Sequence, residues 1–285
     1  KNMKILGKAE ILTAEKALLK HFPKSLKVYG YLHTINRNIP TRMEVIVDSW
    51  PEFKVIVCRP DPKNEHKRDM RSQVSYYSTD QQALRKILTD ADVVDWSRYF
   101  IIGGLDTADT SMLKELSSQR GVNIRIFTVV HLMYLPDSHQ LLPQEKVPSA
   151  HSQVASRVSS LDLSHADLVN KTWKFGSNEK SYNTIKNFIA SFPSCCILDE
   201  QGRPVSWLLL YDYCAMGLLY TLPEHRGRGL AKVLISTMAR RLRAEGFPVY
   251  CYIEEENTLS YKLFYTVIHL PTILCGFSLH LSCPL

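Results

Sequence analysis

The stretch LPEHRGRGLAKVL, Leu222–Leu234, carries the strongest structural signal in this chain. It joins a predicted strand, Met216–Leu222, to a predicted helix, Gly229–Ala244, whose apolar residues repeat at helical spacing. Gly246 supplies a C-terminal stop for that helix. The sequence therefore predicts an amphipathic helix that begins directly after a cationic turn rich in glycine. The residues on its apolar face are Leu230, Val233, Leu234, Met238 and Leu242.

The turn has the composition of an anion-binding site, in the pattern Arg226-x-x-Gly229-x-Ala231. Small residues let the backbone approach a ligand closely, and unpaired amides at a helix N-terminus carry partial positive charge. Together these properties favour a bound phosphate. The lysine and serine of a nucleoside-triphosphate loop are absent, so a diphosphate fits better. The alternative is that the glycines only form the turn and the arginines are solvated.

Three further arginines, Arg240, Arg241 and Arg243, do not extend this site. They lie roughly 15–20 Å along the helix from the turn, because each residue adds about 1.5 Å of rise. We expect them to complement the negative C-terminal end of the helix dipole instead.

Length and composition are those of an ordinary globular protein. The chain has 285 residues, enough for one large domain or two modest ones. Apolar residues make up 45% of the sequence, and no run approaches the ~18 apolar residues of a membrane-spanning helix. The formal charge of +7 favours anionic partners without distinguishing nucleic acid, a membrane surface or a phosphorylated ligand.

The spacing of cysteine and histidine argues against disulfide and metal chemistry. Seven cysteines form an odd set without CxxC spacing, which predicts reduced thiols in an intracellular protein. Ten histidines are scattered without an HExxH pair. Cys195 and Cys196 lie in an apolar strand and are expected in the core. We therefore expect no metal site and no catalytic cysteine.

The chain is expected to divide at a segment poor in apolar residues. Residues 136–155 are rich in Ser, Gln, His and Pro, which favours a linker between an N-terminal domain, 1–135, and a C-terminal domain, 156–285. The N-terminal half is predicted to be α+β, with strand-like runs that include Leu26–Ile35. The C-terminal half is predicted to mix strands and helices, beginning with a strand at Ser156–Asp162.

The strand, turn and helix around Leu222–Leu234 resemble motif A of the GCN5-related N-acetyltransferase superfamily, in which backbone amides bind the pyrophosphate of coenzyme A. Longer stretches are similar to one branch of it, the glycine N-acyltransferase and glycine N-acyltransferase-like family. The resemblance implies an α+β fold, with a mixed sheet and flanking helices in the C-terminal domain and a degenerate α+β N-terminal domain. The similar stretches are SLKVYG (Ser25–Gly30), VDSWPEF (Val47–Phe53), HADLVNKTWKFGSNE (His165–Glu179), FPSCCIL (Phe192–Leu198), GRPVSW (Gly202–Trp207), TLPEHR (Thr221–Arg226) and GFPVY (Gly246–Tyr250).

The resemblance also implies an activity, the transfer of an acyl group from acyl-coenzyme A to the amine of glycine, or of glutamine in some relatives. It implies a mitochondrial setting and small-molecule partners, with acyl-coenzyme A as co-substrate. Nucleic acid and a transmembrane segment are not expected. A non-catalytic protein that binds acyl-coenzyme A is the alternative. The residues expected to bind the cofactor are Leu222, Arg226, Gly227, Arg228, Gly229, Leu230, Ala231 and Asn257.

Glu224 is the predicted general base, because only a neutral amine attacks a thioester. It matches the position of the family's proposed glutamate in the Leu-Pro-Glu motif; the alternative is a carboxylate that interacts with the helix dipole. His225 titrates nearer to neutral pH, but neighbours in an extended chain face opposite ways, so only one of the two enters the cleft. For Asn257, a contact with the cofactor arm and an ordinary helix N-cap both stay open.

Overall fold

The computed structural model describes residues 3–64, 73–137, 139, 141, 152–268 and 272–281. The chain forms two compact units. The first consists of Lys1–Leu132 and Ile273–Leu285, and the second of Met133–Thr272. No helix in the described ranges is long and apolar enough to cross a membrane.

The first unit is an α+β unit built on a mixed sheet. Its elements are β1 (Lys4–Ile5), α1 (Lys8–Leu18), α2 (Leu26–Asn36), β2 (Met43–Val47), β3 (Val55–Pro60), β4 (Gln73–Ser78), α3 (Gln81–Leu88), β5 (Phe100–Asp106), α4 (Thr110–Gln119) and β6 (Asn123–Leu135), whose last residues belong to the second unit. Strands β1 to β4 pair with their sequence neighbours in antiparallel fashion, and β5 runs parallel to β4. The predicted α+β class of this half is therefore confirmed.

The first unit has an apolar core of its own. Strands β2 to β5 contribute one side of it, and α3 and α4 contribute the other. Burial of these side chains is the main favourable term for the unit, at about 25 cal/mol per Å² of apolar surface. Representative members, each at most 2% exposed, are Ile46, Val57, Leu84, Ile102 and Leu113.

The prediction of a strand at Leu26–Ile35 is wrong, because this segment forms helix α2. Every residue from Leu26 to Thr34 is buried, so the sequence lacks the polar face that marks an amphipathic helix. An apolar run of this kind does not separate a buried helix from a buried strand by its periodicity. Tyr29 and Tyr31 also favour a strand by their intrinsic propensity, and tertiary packing overrides that preference here.

The second unit contains a second mixed sheet. Its elements are α5 (Ser152–Ala155), β7 (Val158–Ser159), α6 (Ala166–Thr172), α7 (Glu179–Ser191), β8 (Cys195–Leu198), β9 (Pro204–Leu210), β10 (Met216–Thr221), α8 (Leu230–Ala244), β11 (Val249–Glu254) and α9 (Thr258–Ile268). Strands β7 to β10 are antiparallel neighbours, and β11 runs parallel to β10. Helix α8 packs against strands β8 to β11 and against α9.

The predicted helix after the glycine turn is confirmed as α8, and its five predicted core residues are all at most 7% exposed. The predicted strand at Ser156–Asp162 is mostly wrong, because only the two residues of β7 pair in the sheet. Asp162 ends the segment, since its carboxylate accepts a 2.8 Å hydrogen bond from the Ser164 amide and begins a 3₁₀ turn at Leu163–His165.

The last described strand, β12 (Thr272–Leu281), pairs antiparallel with β5 of the first unit. The sequence-based division does not anticipate this pairing, because it keeps 156–285 in one domain. The predicted linker, 136–155, lies largely outside the described residues, which include only 136, 137, 139, 141 and 152–155 of it. The boundaries of 1–135, 136–155 and 156–285 therefore stay predictions.

Candidate active site

The glycine turn of the second unit follows β10 in short backbone steps. After β10 ends at Thr221, Pro223–His225 form a single 3₁₀ turn and Arg226 is extended. Gly227 and Gly229 both adopt a φ of 74°, the left-handed conformation that glycine tolerates. Helix α8 starts immediately after Gly229, which is its N-cap residue. The two glycines thus set the path of the backbone at the predicted anion site.

The amides of this turn from Gly227 onward have no hydrogen-bond partner within the described part of the chain, whereas the Arg226 amide donates to the Pro223 carbonyl at 3.2 Å. The backbone N–H groups from Gly227 to Lys232 donate no hydrogen bond there, and no side chain caps α8. A Cβ atom built on Gly227 meets no atom within 4 Å. The N-terminus of α8 therefore combines open space, unpaired donors and the positive end of a 15-residue helix. This arrangement suits a diphosphate group.

The two arginines of the turn bond to its own carbonyl groups. Arg226 Nε donates to the Thr221 carbonyl at 2.9 Å, and the guanidinium lies over the Tyr220 ring at 5.3 Å from its centroid. Arg228 donates to the Glu224 carbonyl at 3.2 Å. Both side chains are exposed, so each keeps further N–H donors for a phosphate. The arginines therefore brace the turn and add positive charge to it.

Glu224 and His225 lie in the 3₁₀ turn and not in extended chain, so the expected alternation of these two neighbours is wrong. Glu224 is exposed. His225 is partly buried and lines a cleft of about 570 Å³, whose other residues include Arg157, Arg203 and Arg228. The turn geometry thus gives the two residues different surroundings, with Glu224 in solvent and His225 in this cleft.

Two predicted cofactor-binding residues already have hydrogen-bonding roles in the fold. The Leu222 amide donates to the Val205 carbonyl at 2.9 Å, so this amide is committed to β9. Asn257 Oδ1 accepts a 3.1 Å hydrogen bond from the Ser260 amide, so Asn257 caps the start of α9. The helix cap uses the Oδ1 atom of Asn257 but not its carboxamide NH₂ group, and the residue is exposed.

Strands β10 and β11 separate just before the turn. Although they are parallel neighbours, they pair at one position, Met216 with Cys251. Beyond it, the pairing of β10 with β9 is interrupted by a bulge between Gly217 and Tyr220, and Leu218 has a φ of 54°. The parallel strands therefore leave a gap between them that opens towards their C-terminal ends. In open sheets of this kind, ligands bind at the C-terminal ends of the strands.

Tyrosines near this gap were not predicted as site residues. Tyr211 and Tyr213 are stacked, with ring centroids 5.2 Å apart, and Tyr213 meets Tyr252 of β11 edge-on at 6.4 Å. A Cβ atom on Gly217 would lie 2.1 Å from the Tyr211 ring, so only glycine lets β10 pass this ring. The spacing of two residues between Tyr211 and Tyr213 is one sequence signal for this cluster, and Tyr250 and Tyr252 repeat it on β11.

The first unit has a strand, turn and helix of similar order, but its turn differs chemically. Asp80 follows β4, and its carboxylate accepts hydrogen bonds from the Gln82 and Ala83 amides at 2.9 and 3.0 Å. The same carboxylate forms a 3.0 Å ion pair with Lys54. Two of the first three amides of α3 are therefore occupied by an anion that the chain itself supplies. A phosphate at this turn would find these two amide donors already used, and the negative charge of Asp80 would repel it.

The buried cysteines fit a structural role. Cys195 and Cys196 are 3% and 0% exposed, as predicted for core residues. Burial raises the pKa of the Cys195 thiol to about 12 and that of Cys196 to about 11, which keeps both protonated at neutral pH. No cluster of three or more His, Cys, Asp or Glu side chains that could hold a metal ion occurs among the described residues.

Two family models match the chain in succession. Residues 3–193 match the model described as aralkyl acyl-CoA:amino acid N-acyltransferase, and residues 195–278 match the model of its C-terminal region. The chain belongs to the aralkyl acyl-CoA:amino acid N-acyltransferase family. An acyl-coenzyme A co-substrate and an amino-acid substrate follow from this membership. The family resemblance that the sequence motifs indicated is thereby confirmed.

Curated relatives match over nearly the whole chain. Glycine N-acyltransferase of Rattus norvegicus is 33% identical over 270 residues, covering 90% of this chain and 91% of the relative. The human glycine N-acyltransferase is 32% identical over 274 residues with the same two coverages. Glycine N-phenylacetyltransferase of Bos taurus is 32% identical over 270 residues, again covering 90% and 91%. Identity at this level identifies the family but leaves the acceptor and the acyl group open.

Solved structures confirm the predicted fold class. A Drosophila protein aligns with a TM-score of 0.75 at 19% identity, covering 99% of this chain and 98% of that protein. A tandem GCN5-related N-acetyltransferase from the clavulanic acid biosynthesis pathway aligns with a TM-score of 0.57 at 14% identity, covering 99% of each chain. The chain is therefore α+β with two mixed sheets, as in a tandem fold of this type.

Proposed function

We propose that the protein transfers an acyl group from acyl-coenzyme A to the amine of glycine by direct attack. In this proposal the turn from Arg226 to Ala231 binds the pyrophosphate, and Leu222 and Asn257 contact the cofactor arm. Glu224 is the general base. The observation that carries the proposal is the pair of left-handed glycines before α8, because the unpaired amides beside them suit a diphosphate.

The acceptor nitrogen loses two protons in the proposed reaction. The acceptor ammonium gives a proton to the Glu224 carboxylate, and the resulting neutral amine attacks the thioester carbon. The tetrahedral intermediate collapses when the C–S bond breaks and coenzyme A leaves as a thiolate. The nitrogen loses a second proton as the amide forms, and that proton neutralises the thiolate. The products are N-acylglycine and coenzyme A, and Glu224 returns its proton to solvent.

The location of Glu224 supports its role. It follows β10, and the gap between β10 and β11 opens at the same edge of the sheet. Its carboxylate is exposed, so a bound acceptor and thioester have access to it. The Leu222, His225 and Arg226 amides already donate to backbone carbonyls, and Pro223 has no N–H. The Glu224 amide and those from Gly227 onward are therefore the donors left for a developing oxyanion.

Glycine as acceptor is supported by the names of the relatives, which are glycine N-acyltransferases or a glycine N-phenylacetyltransferase. The test is a thiol-release assay that crosses benzoyl-, phenylacetyl- and long-chain acyl-coenzyme A with glycine and glutamine. Release with glycine supports the proposal. Release with glutamine alone changes the acceptor, and tight binding of acyl-coenzyme A without release identifies a non-catalytic binding protein.

A mitochondrial location is proposed from the family resemblance alone. Cell fractionation with an antibody against the protein tests it, because co-sedimentation with a matrix marker is the expected result. Recovery with a marker of another compartment would remove the proposal without affecting the reaction.

A further inference from the structure

An ion pair in the second unit lies at the gap between β10 and β11 and has no part in the reaction described above. Lys174 Nζ contacts both carboxylate oxygens of Glu254, at 3.2 and 3.0 Å. Glu254 is the last residue of β11, and Lys174 lies in the connection between α6 and α7. From these two residues we infer a binding site for the acceptor amino acid, in which Lys174 binds its α-carboxylate and Glu254 holds the ammonium group of Lys174.

Strand register places Glu254 at the open part of the gap. Cys251 is the β11 residue that pairs with Met216, and Glu254 follows it by three residues. At about 3.3 Å per residue, Glu254 is roughly 10 Å beyond the last paired position. Glu224 follows the C-terminal end of β10, and neighbouring parallel strands end at the same edge of a sheet. The proposed base and the Lys174–Glu254 pair therefore lie at one edge.

The side chain of Glu254 is also linked to the point at which β10 leaves β11. Burial and then the negative charge of Glu254 raise the pKa of the Tyr211 hydroxyl to about 12. The Tyr211 ring packs against Gly217, which follows the paired residue Met216. The Tyr211 ring therefore lies where the gap begins, and the negative charge of Glu254 acts on its hydroxyl.

The connection that carries Lys174 is held firmly on α6. A Cβ atom on Gly176 would lie 1.9 Å from the Asn170 carbonyl oxygen, so the connection passes in direct contact with the helix. The Trp173 and Phe175 rings meet edge-on at 5.9 Å, and Lys174 Nζ lies 5.5 Å from the Phe175 centroid. Packed neighbours on both sides thus limit the directions available to the ammonium group.

Charge and exposure suit the capture of a small zwitterion. The Lys174 side chain is 66% exposed and that of Glu254 is 36% exposed, so a ligand reaches both from solvent. A lysine ammonium has three donors, and contact with one carboxylate leaves at least one for another. The inference rests on the proposed function, because it assigns this site to the acceptor of that reaction.

The test compares Lys174→Met with a matched control, Lys171→Met. Lys171 lies on α6 in an exposed 2.7 Å ion pair with Asp167, so its removal deletes an equivalent surface pair elsewhere. Steady-state kinetics with benzoyl-coenzyme A would be measured for glycine, glutamine and glycinamide, which lacks the carboxylate. Binding of ¹³C-labelled glycine to the protein saturated with coenzyme A would be followed by NMR.

We expect Lys174→Met to raise KM for glycine about tenfold or more, the effect of losing a hydrogen bond to a charged group. KM for benzoyl-coenzyme A and the kinetics with glycinamide should not change, so the preference for glycine over glycinamide falls. Lys174→Arg should restore most of that preference, and Lys171→Met should match the parent.

The outcomes separate this inference from the proposed function. Turnover by the parent together with an unchanged KM for glycine and glutamine in Lys174→Met overturns the inference and leaves the reaction standing. If the parent binds glycine without turning it over, and Lys174→Met abolishes that binding, the binding site is supported and the proposed reaction is excluded. If the parent neither binds nor acylates glycine or glutamine, both the inferred acceptor site and the proposed function are excluded.

Discussion

Replacement of Gly227 by alanine separates the conformational role of this glycine from a role in binding. Its φ of 74° places an alanine in the left-handed region, which costs about 1–2 kcal/mol in the free energy of unfolding. No steric cost is added, because a Cβ atom there has no neighbour within 4 Å. Gly246 has a φ of 77° and the same open surroundings at the other end of α8. Gly246→Ala is therefore a matched control.

The two variants are expected to lose similar stability but to differ in affinity for coenzyme A. A methyl group at position 227 stands where the diphosphate approaches the backbone, and loss of one amide-to-phosphate hydrogen bond costs about 1.5–3 kcal/mol. That corresponds to roughly a 10- to 150-fold rise in Kd. Urea unfolding measures the first quantity, and calorimetric titration with coenzyme A measures the second. Equal Kd values for Gly227→Ala, Gly246→Ala and the parent would refute the phosphate-binding role of the turn.

Three further predictions concern a base, the first unit and the response of stability to pH. Glu224→Gln should lower kcat by about 10²–10⁴ in the thiol-release assay with unchanged Kd for coenzyme A, and full activity would exclude Glu224 as the base. Calorimetric titration should give one coenzyme A bound per chain, since the Asp80 carboxylate occupies two amides at the start of α3, and a second bound coenzyme A would contradict this prediction. Burial raises the pKa of the Glu15 carboxyl, but His33, Asn36 and Arg37 outweigh burial and lower the pKa to about 2 from an ordinary 4.5. Because the folded pKa is the lower one, Glu15 should contribute up to about 3 kcal/mol of stability above pH 4.5 and lose it as the pH falls towards 2. Urea unfolding of the parent and of Glu15→Gln should be measured at pH 7, 4 and 3. The difference between their free energies of unfolding should become smaller as the pH falls, and a difference that stays constant would exclude this contribution of Glu15.

The parts of the fold that the sequence predicts are those with a local pattern. Helix α8 has apolar residues on one face and a glycine stop at Gly246, so the sequence indicates both its helical periodicity and its end. Helix α2 is buried on nearly all sides and has no such pattern. Strand β5 includes two consecutive glycines, Gly103 and Gly104, which hide its strand character. The pairing of β12 with β5 depends on residues far apart in the chain, which no local pattern reports.

The candidate site likewise contains residues that a local sequence pattern predicts and residues that no such pattern predicts. The glycines at positions 227 and 229 were predictable, because a left-handed backbone before a helix requires that residue type. The Lys174–Glu254 pair was not, because its two members come from separate segments and meet only after the sheet has formed. The sequence predicts extended chain at Glu224 and His225, whereas the three residues of 3₁₀ turn give the two side chains different surroundings.

The pairing of β12 with β5 has a practical consequence for work with fragments. A recombinant piece that begins after the predicted linker and runs to residue 285 would contain β12 without β5, its hydrogen-bonding partner. Its unpaired backbone groups would offer an open edge to other molecules, which is a route to aggregation. Conversely, a piece ending near Leu132 would leave β5 without one of its neighbours. Expression trials that seek a well-behaved catalytic fragment should therefore stop at or before Thr272, or keep the whole polypeptide.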